Sequence, residues 1–136
     1  MKSGSTVRTI CPYCGVGCTL VLHLQGDYIV KVASDYASPV NHGNLCVKGR
    51  FGMEFVNHPD RLRTPLIRRN GELTPATWDE ALDWIVDRFA TIARESGPDA
   101  LGFLASAKCT NEENYLFQKL ARSVVGTHNV DHCARL

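Results

Sequence analysis

The sequence predicts an α+β fold, in which a small β-rich unit is followed by the opening β–α–β portion of a larger α/β domain. Strand-like runs around a turn signal occupy the first 60 residues, and long amphipathic helices begin only after them. Three closely spaced cysteines also lie in the first part, and a fourth returns near its end. We therefore expect two domains, residues 1–60 and 61–136, the second of them cut short because two strands do not complete a buried parallel sheet.

Length and charge exclude several classes of protein. With 136 residues and a formal net charge of +1, the chain lacks the basic surplus of a nucleic-acid-binding protein. It has no apolar run of 18 residues, so no membrane span is expected. The N-terminus lacks the hydrophobic core of a secretion signal, which predicts a cytoplasmic location.

Four of the six cysteines form a frame with the spacing C-x2-C-x3-C-x27-C, namely Cys11, Cys14, Cys18 and Cys46. Three thiols in one loop and a distant fourth favour an iron–sulfur cubane, because zinc sites usually offer two separated C-x2-C pairs. A structural zinc ion stays open as the alternative. A disulfide is disfavoured because nothing marks the chain as secreted.

Two glycines, Gly15 and Gly17, alternate with these cysteines. We expect both to adopt positive φ and to turn backbone N–H groups toward the metal site. The pair does not indicate a dinucleotide-binding loop, because the required third glycine does not follow.

The first half of the chain is predicted to contain strands joined by turns. Strands are expected over residues 7–11, 19–24 and 28–32, and a hairpin turn is expected at 25–27. A polar loop at 34–44 then returns Cys46 to the other cysteines, and a short helix is expected over 47–56.

Four arginines surround Pro65, namely Arg61, Arg63, Arg68 and Arg69. They indicate a solvated connector, with a contact to a phosphate group or an acidic partner surface as the alternative. Both interpretations treat residues 61–69 as a linker.

Two capping boxes mark helices in the second half. T-W-D-E at 77–80 begins a helix that ends before Gly97, and T-N-E-E at 110–113 begins another that ends at Gly126. The first helix has an apolar face that we expect to pack in the core. That face contains Trp78, Ala81, Leu82, Ile85, Val86, Phe89 and Ala93.

Two short strands flank the second helix. Residues 100–105 form an apolar run typical of a strand buried on both faces, and 128–131 form another short strand. Their order predicts a parallel, right-handed crossover. The loop at 106–111 would then lie at the carboxyl end of its strand, where α/β sheets bind ligands.

The motifs resemble those of molybdenum- or tungsten-dependent formate dehydrogenase catalytic subunits, in the molybdopterin oxidoreductase superfamily. The resemblance rests on seven segments: C-P-Y-C-G-V-G-C at 11–18, L-C-V-K-G-R at 45–50, W-D-E-A at 78–81, T-N-E-E-N-Y at 110–115, Q-K-L-A-R at 118–122, G-T-H-N-V-D at 126–131 and H-C-A-R-L at 132–136. The last segment is more similar to formate dehydrogenase than to nitrate reductase. His128 departs from the pattern, where we expect Asn.

The resemblance implies specific sites. The four cysteines of the frame would bind a [4Fe–4S] cluster, and Lys48 would lie between that cluster and a pterin of bis-molybdopterin guanine dinucleotide. Lys108 and Asn111 are weaker candidates for contact with that cofactor. Cys109 and Cys133 are expected to be buried thiols without a ligand role.

The family reaction interconverts formate and CO2 and passes two electrons through the Mo or W centre to the cluster. The implied partners are an iron–sulfur or flavin/NAD subunit, as electron acceptor, and the remainder of the same polypeptide. This chain is expected to be an electron-relay portion without catalytic residues, and to be inactive alone. The resemblance also places a metal-binding Cys or selenocysteine directly after Leu136. We therefore expect an in-frame UGA codon there, with a deliberately shortened chain or an incomplete gene as alternatives.

Two functional classes remain open at this point. One is the redox portion of a molybdopterin enzyme, either formate dehydrogenase or another member such as nitrate reductase. The other is a zinc-stabilised interaction module without a redox role.

Overall fold

The computed structural model describes residues 4–133. Its elements are β1 (Ser5–Ile10), β2 (Thr19–Gln25), β3 (Tyr28–Ser34), α1 (Val47–Phe51), α2 (Glu54–Asn57), β4 (Leu66–Arg69), β5 (Glu72–Pro75), α3 (Trp78–Ser96), a 3₁₀ turn (Pro98–Ala100), β6 (Phe103–Ala105), α4 (Asn111–Lys119), a π-helical segment (Leu120–Val125) and β7 (Val130–His132). The strands form three small sheets, in the orders β1-β2-β3, β4-β5 and β6-β7. The predicted α+β class is confirmed.

The described chain forms two compact units. The first, here called the cysteine unit, contains residues 4–61, 105–116 and 132–133. The second, here called the helical unit, contains residues 62–104 and 117–131. The predicted division into domains 1–60 and 61–136 stays a prediction.

The cysteine unit is built on an antiparallel meander. β1 pairs with β2 from Ser5↔Leu24 to Ile10↔Thr19, and β2 pairs with β3 through a tight turn in which Gly26 adopts a φ of 63°. Leu20, at 0% exposure, packs with Cys11 and Met53 to form the core of this unit. The three predicted strands and their hairpin turn are therefore confirmed.

The helix predicted over 47–56 is instead two short helices, α1 and α2. The break falls at Gly52 and Met53, where the Gly52 N–H closes α1 on the Lys48 carbonyl at 2.8 Å. Glycine is a poor helix former. The Tyr13 hydroxyl also donates to the Gly52 carbonyl oxygen, which gives this oxygen a partner outside the helix.

The predicted linker at 61–69 is partly wrong, because β4 and β5 form a hairpin in the helical unit. Asn70 and Gly71 supply its turn with φ values of 51° and 90°. An Asn-Gly pair is a strong hairpin signal, so the sequence held this information. Two of the arginines bond locally, Arg68 to the Gly71 carbonyl and Arg69 to the Glu80 carboxylate.

Both capping boxes are confirmed, but the predicted burial of α3 is largely wrong. The Thr77 hydroxyl accepts the Glu80 N–H at 3.2 Å, and the Thr110 hydroxyl accepts the Glu113 N–H at 3.2 Å. On the apolar face of α3 only Ala81 is buried, and Phe89 and Ala93 pack partly against the core. The other four members of that face are substantially exposed, namely Trp78, Leu82, Ile85 and Val86.

The core of the helical unit forms around β6. Phe103 stacks edge-on against Phe89 and Phe117, with ring centroids 6.0 and 5.4 Å apart. β6 pairs with β7 as the β–α–β order predicts, while the parallel direction of the pair stays a prediction. The strand predicted over 100–105 is shorter and not doubly buried, because a 3₁₀ turn occupies its start and Leu104 is exposed.

The second helix changes its hydrogen-bonding pattern before it ends. After α4 the backbone continues as a π-helical segment, and Gly126 closes it with a φ of 86°. No helix within residues 4–133 is both long enough and apolar enough to cross a membrane.

Phe103 and Leu104 are neighbours in β6, yet their exposures are 4% and 81%. Replacing Phe103 by Ala should lower the free energy of unfolding by about 3–5 kcal/mol, because it leaves a cavity between two aromatic rings. Leu104→Ala is the matched control and should change that free energy by no more than about 0.5 kcal/mol. Urea unfolding followed by circular dichroism measures both, and equal losses would contradict this burial pattern.

Candidate metal centre

Three of the four frame cysteines lie in the loop that connects β1 to β2. The register places Ile10 opposite Thr19, so the loop begins and ends at adjacent strand positions. Its two end cysteines are joined by a hydrogen bond from the Cys11 N–H to the Cys18 carbonyl at 2.8 Å. The β1–β2 hairpin therefore folds Cys11, Cys14 and Cys18 into one short, closed loop.

Tyr13 fixes this loop to the two short helices. Its hydroxyl donates to the Gly52 carbonyl, and its ring meets Phe55 edge-on at 6.1 Å between centroids. A Cβ added to Gly52 would lie 2.7 Å from the Tyr13 hydroxyl oxygen, so a glycine is needed at this close approach. The Arg61 guanidinium covers the Phe55 ring at 5.1 Å from its centroid.

The two loop glycines play different roles. Gly17 adopts a φ of 76°, as expected. Gly15 is not among the positive-φ glycines, so that expectation is wrong. Its lack of a side chain has a steric reason instead, since an added Cβ would overlap the Asn111 side-chain oxygen.

A buried polar network holds the loop that delivers Cys46. The Asn41 side chain accepts the Thr19 N–H at 3.1 Å and donates to the Asn44 carbonyl at 2.8 Å, which ties this loop to the start of β2. Asp35, 8% exposed, pairs with Arg8 of β1. Cys46 lies at the end of this loop, immediately before α1.

The four thiols of the frame lie within the cysteine unit. Burial raises the pKa of the Cys18 thiol, and the charges of the other three cysteines raise it further. An added Cβ on Gly49 would lie 3.5 Å from the Cys11 sulfur, so α1 lies against the loop cysteines. Cys18 is therefore the thiol at which the charges of the other three frame cysteines act.

Cys46 has the opposite shift. The backbone N–H groups of Gly49 and Lys48 donate to its sulfur and lower the pKa of the thiol, and the Lys48 ammonium lowers it further. These groups favour a thiolate, which is the form that binds iron or zinc. Lys48 is exposed and close enough to Cys46 to act on its charge.

The four cysteines of the frame offer sulfur donors only, a set that fits either a [4Fe–4S] cluster or a zinc ion. Among residues 4–133, no group of three or more His, Cys, Asp or Glu side chains has the arrangement that would hold one metal ion. The charges of the other three cysteines nonetheless contribute to the raised pKa of the Cys18 thiol. In a cubane each thiolate binds a different iron, so the ligands stand farther apart than four ligands of one zinc ion.

The loop after β6 belongs to the cysteine unit and carries the remaining candidates. Asn111 contacts the cysteine loop directly, because its side-chain amide donates to the Gly15 carbonyl at 2.7 Å. Lys108 is exposed, and its backbone N–H donates to the Ser106 hydroxyl at 3.0 Å. Cofactor contact by Lys108 and Asn111 stays a prediction.

The expectation of a buried Cys133 is wrong, while Cys109 is partly buried. The Cys133 sulfur lies 3.6 Å from the Ser106 hydroxyl oxygen. The Ala107 N–H and the Ser106 hydroxyl lower the pKa of this thiol, and the Lys108 charge contributes.

Comparison with known families defines the class of the site. Residues 5–58 match the molybdopterin oxidoreductase Fe4S4 domain. All four cysteines of the frame fall within this match, so the fold and the site define a protein with an iron–sulfur domain of this type.

The rest of the chain identifies the family. Residues 61–136 match the molybdopterin oxidoreductase family, and the chain belongs to this family. It is similar to the F420-dependent formate dehydrogenase 1 subunit alpha of Methanococcus maripaludis, with 51% identity over 130 residues, 96% of this chain and 19% of that protein. It is also 50% identical over 128 residues to a provisionally named formate dehydrogenase of Staphylococcus aureus, covering 94% of this chain and 13% of that protein. The chain thus spans less than a fifth of the length of these relatives.

Sequence reasoning missed several residues that position the thiols, chiefly Tyr13 and Asn41. Tyr13 carried no signal beyond its place between two cysteines. Asn41 lies in a polar loop where an asparagine usually serves a turn. The contacts of both are long-range, so local patterns could not indicate them.

The Cys133 thiol should be more reactive than an ordinary cysteine near neutral pH, because a lowered pKa increases the thiolate fraction. Its alkylation rate should rise with pH around a midpoint lower than that of an ordinary exposed thiol. Ser106→Ala removes one hydrogen-bond donor and should move this midpoint upward. Ser96→Ala, at the end of α3, is the control. Mass spectrometry of iodoacetamide-treated protein measures both, and a midpoint insensitive to Ser106→Ala would contradict the assignment.

Proposed function

We propose that Cys11, Cys14, Cys18 and Cys46 bind one [4Fe–4S] cluster that relays electrons. The observation that carries this proposal is the placement of Cys11, Cys14 and Cys18 in the closed β1–β2 loop, with Cys46 returned to the same compact unit directly before α1, inside the matched Fe4S4 domain. A cluster bound there supplies one-electron transfer. The chain supplies the thiolates, the N–H donors and the apolar core at Leu20 and Met53 that covers one side of Cys11.

Individual residues have distinct roles in this proposal. The N–H groups of Lys48 and Gly49 stabilise negative charge on Cys46. The Lys48 ammonium adds a positive charge beside the cluster and is available to donate to a pterin edge. Hydrogen bonds and charges of this kind raise the reduction potential of a cluster.

For the whole protein we propose the catalytic subunit of a formate dehydrogenase. The support is identity of about half the residues with proteins that carry this name. The reaction converts formate to CO2, one proton and two electrons, or runs in reverse. The proposed cofactor is a bis-molybdopterin guanine dinucleotide with Mo or W, and Lys108 is a candidate to contact it. The electrons leave to an iron–sulfur or flavin/NAD subunit, and a cytoplasmic location is part of the proposal.

Metal analysis and spectroscopy test the first part. Protein purified without oxygen should be brown, absorb broadly near about 400 nm and contain iron and sulfide. A colourless protein with one zinc ion per chain would overturn it and favour the interaction module.

Formate-dependent dye reduction by the full-length gene product tests the second part, and dependence on nitrate instead would overturn formate as the substrate.

Replacing Cys46 by Ser should abolish the cluster or convert it to a form with fewer irons, because the loop cysteines supply only three thiolates. Iron content and the electron paramagnetic resonance spectrum measure the change. Cys133→Ser is the matched control and should leave both unchanged. A Cys46→Ser protein that keeps four irons and the parent spectrum would show that Cys46 is not a ligand.

Replacing Lys48 by Ala should make the cluster harder to reduce, because a positive charge near Cys46 is lost. The expected shift in potential is negative and on the order of tens of millivolts, since surrounding water screens the charge. Redox titration of the full-length protein measures it, and Lys31→Ala in β3 serves as a charge-matched control. Equal potentials in Lys48→Ala and the parent would place this ammonium away from the cluster.

A further inference from the structure

The cysteine loop has a third attachment point, provided by a residue 96 positions away in the sequence. The Asn111 side-chain amide donates to the Gly15 carbonyl at 2.7 Å. Gly15 lies directly after Cys14, so the bond fixes the Gly15–Val16 peptide, one residue beyond this cysteine. The loop is also held by the hydrogen bond between the Cys11 and Cys18 backbones and by the Tyr13 hydroxyl. Of these attached positions, Gly15 lies farthest from the two strands that flank the loop.

The contact is also steric. The three atoms nearest to a Cβ added at Gly15 all belong to Asn111, and two of them are its Cγ at 3.2 Å and its Nδ2 at 3.5 Å. Gly15 does not need positive φ, so its backbone alone does not exclude alanine. Asn111 is therefore the residue that a side chain at position 15 would have to displace.

Asn111 is itself held in place. It is the first residue of α4, and the Thr110–Glu113 capping box fixes that end of the helix, with Thr110 N–H bonded to the Glu113 carboxylate at 2.7 Å. The Asn114 side chain donates to the Ser106 carbonyl at 3.0 Å and closes the preceding loop. The side chain of Asn111 thus projects from a defined helix start.

We propose that Asn111 is a positioning residue for the iron–sulfur ligands, which holds the Cys14–Gly15 segment by its amide. The inference rests on the proposed cluster and deepens it. Since the amide binds the Gly15 carbonyl, it also fixes the direction of the Gly15–Val16 peptide dipole beside the thiolates. Loss of the amide frees this peptide, which should change both the retention of the cluster and its potential.

Three variants test the proposal: Asn111→Ala, Gly15→Ala and the double variant. Asn111→Ala should speed iron loss to a chelator by about two- to tenfold, the range expected for one hydrogen bond. It should also shift the reduction potential of the cluster. Gly15→Ala alone should damage the cluster more, because its methyl group overlaps the Asn111 side chain.

The double variant is the decisive one. Shortening Asn111 to Ala removes every atom that the Gly15→Ala methyl group would meet first, so the double variant should behave like Asn111→Ala alone. If Gly15→Ala alone fails to fold, recovery of folding in the double variant still tests the contact. A double variant as defective as the sum of the two single changes would overturn the proposal.

Asn129→Ala is the matched control. Its side-chain amide also donates to a backbone carbonyl at 2.8 Å, that of Asp99, but in the helical unit. It should leave iron loss and potential unchanged. All variants are made in the full-length gene product.

The outcomes separate the two proposals. A parent protein without iron overturns the proposed cluster, and this inference with it. A parent with four irons, together with unchanged iron loss and potential in Asn111→Ala, overturns the positioning role alone. Equal effects of Asn111→Ala and Asn129→Ala also overturn it, because they indicate a general loss of stability.

Discussion

The cysteine unit depends on holding four thiols close together although their charged forms repel one another. At Cys18 burial raises the pKa of the thiol, and the charges of the other three cysteines raise it further. A bound metal centre would neutralise these charges, but the protein must first bring the ligands together. It does so by closing the β1–β2 hairpin with the Cys11–Cys18 bond and by directing two backbone N–H groups of α1 to Cys46.

Several contacts in the cysteine unit hold the loops that carry the four thiols. The buried Asn41 and Asp35 fix a loop without regular structure, because Cys46 must return to the hairpin from more than twenty residues away. The helix break at Gly52 gives the Tyr13 hydroxyl a carbonyl acceptor. These contacts leave the loop little freedom, which limits the conformational entropy lost when the ligands bind a metal.

The two units differ in how well the sequence predicted their packing. In the cysteine unit, strands, turn and thiol frame followed from alternation, turn residues and spacing. In the helical unit, the capping boxes of α3 and α4 were correct, but the apolar face of α3 and Leu104 of β6 remain largely exposed. Periodicity identifies which residues share a face, and it does not determine how much of that face other residues cover. The Asn70-Gly71 hairpin was predictable in principle, and the linker interpretation overlooked it.

The sequence by itself determined the α+β class, the cysteine frame, both capping boxes and the family resemblance. These depend on interactions between residues a few positions apart, or on residue types at fixed spacing. Only the tertiary structure decided which side chains hold the frame. Asn41 bonds to Thr19 at the start of β2, Tyr13 bonds to Gly52, and Asn111 bonds to Gly15. Those contacts join segments distant in sequence, and each requires a side-chain polar atom to meet a backbone N–H or carbonyl at a close approach that arises only when the chain is packed.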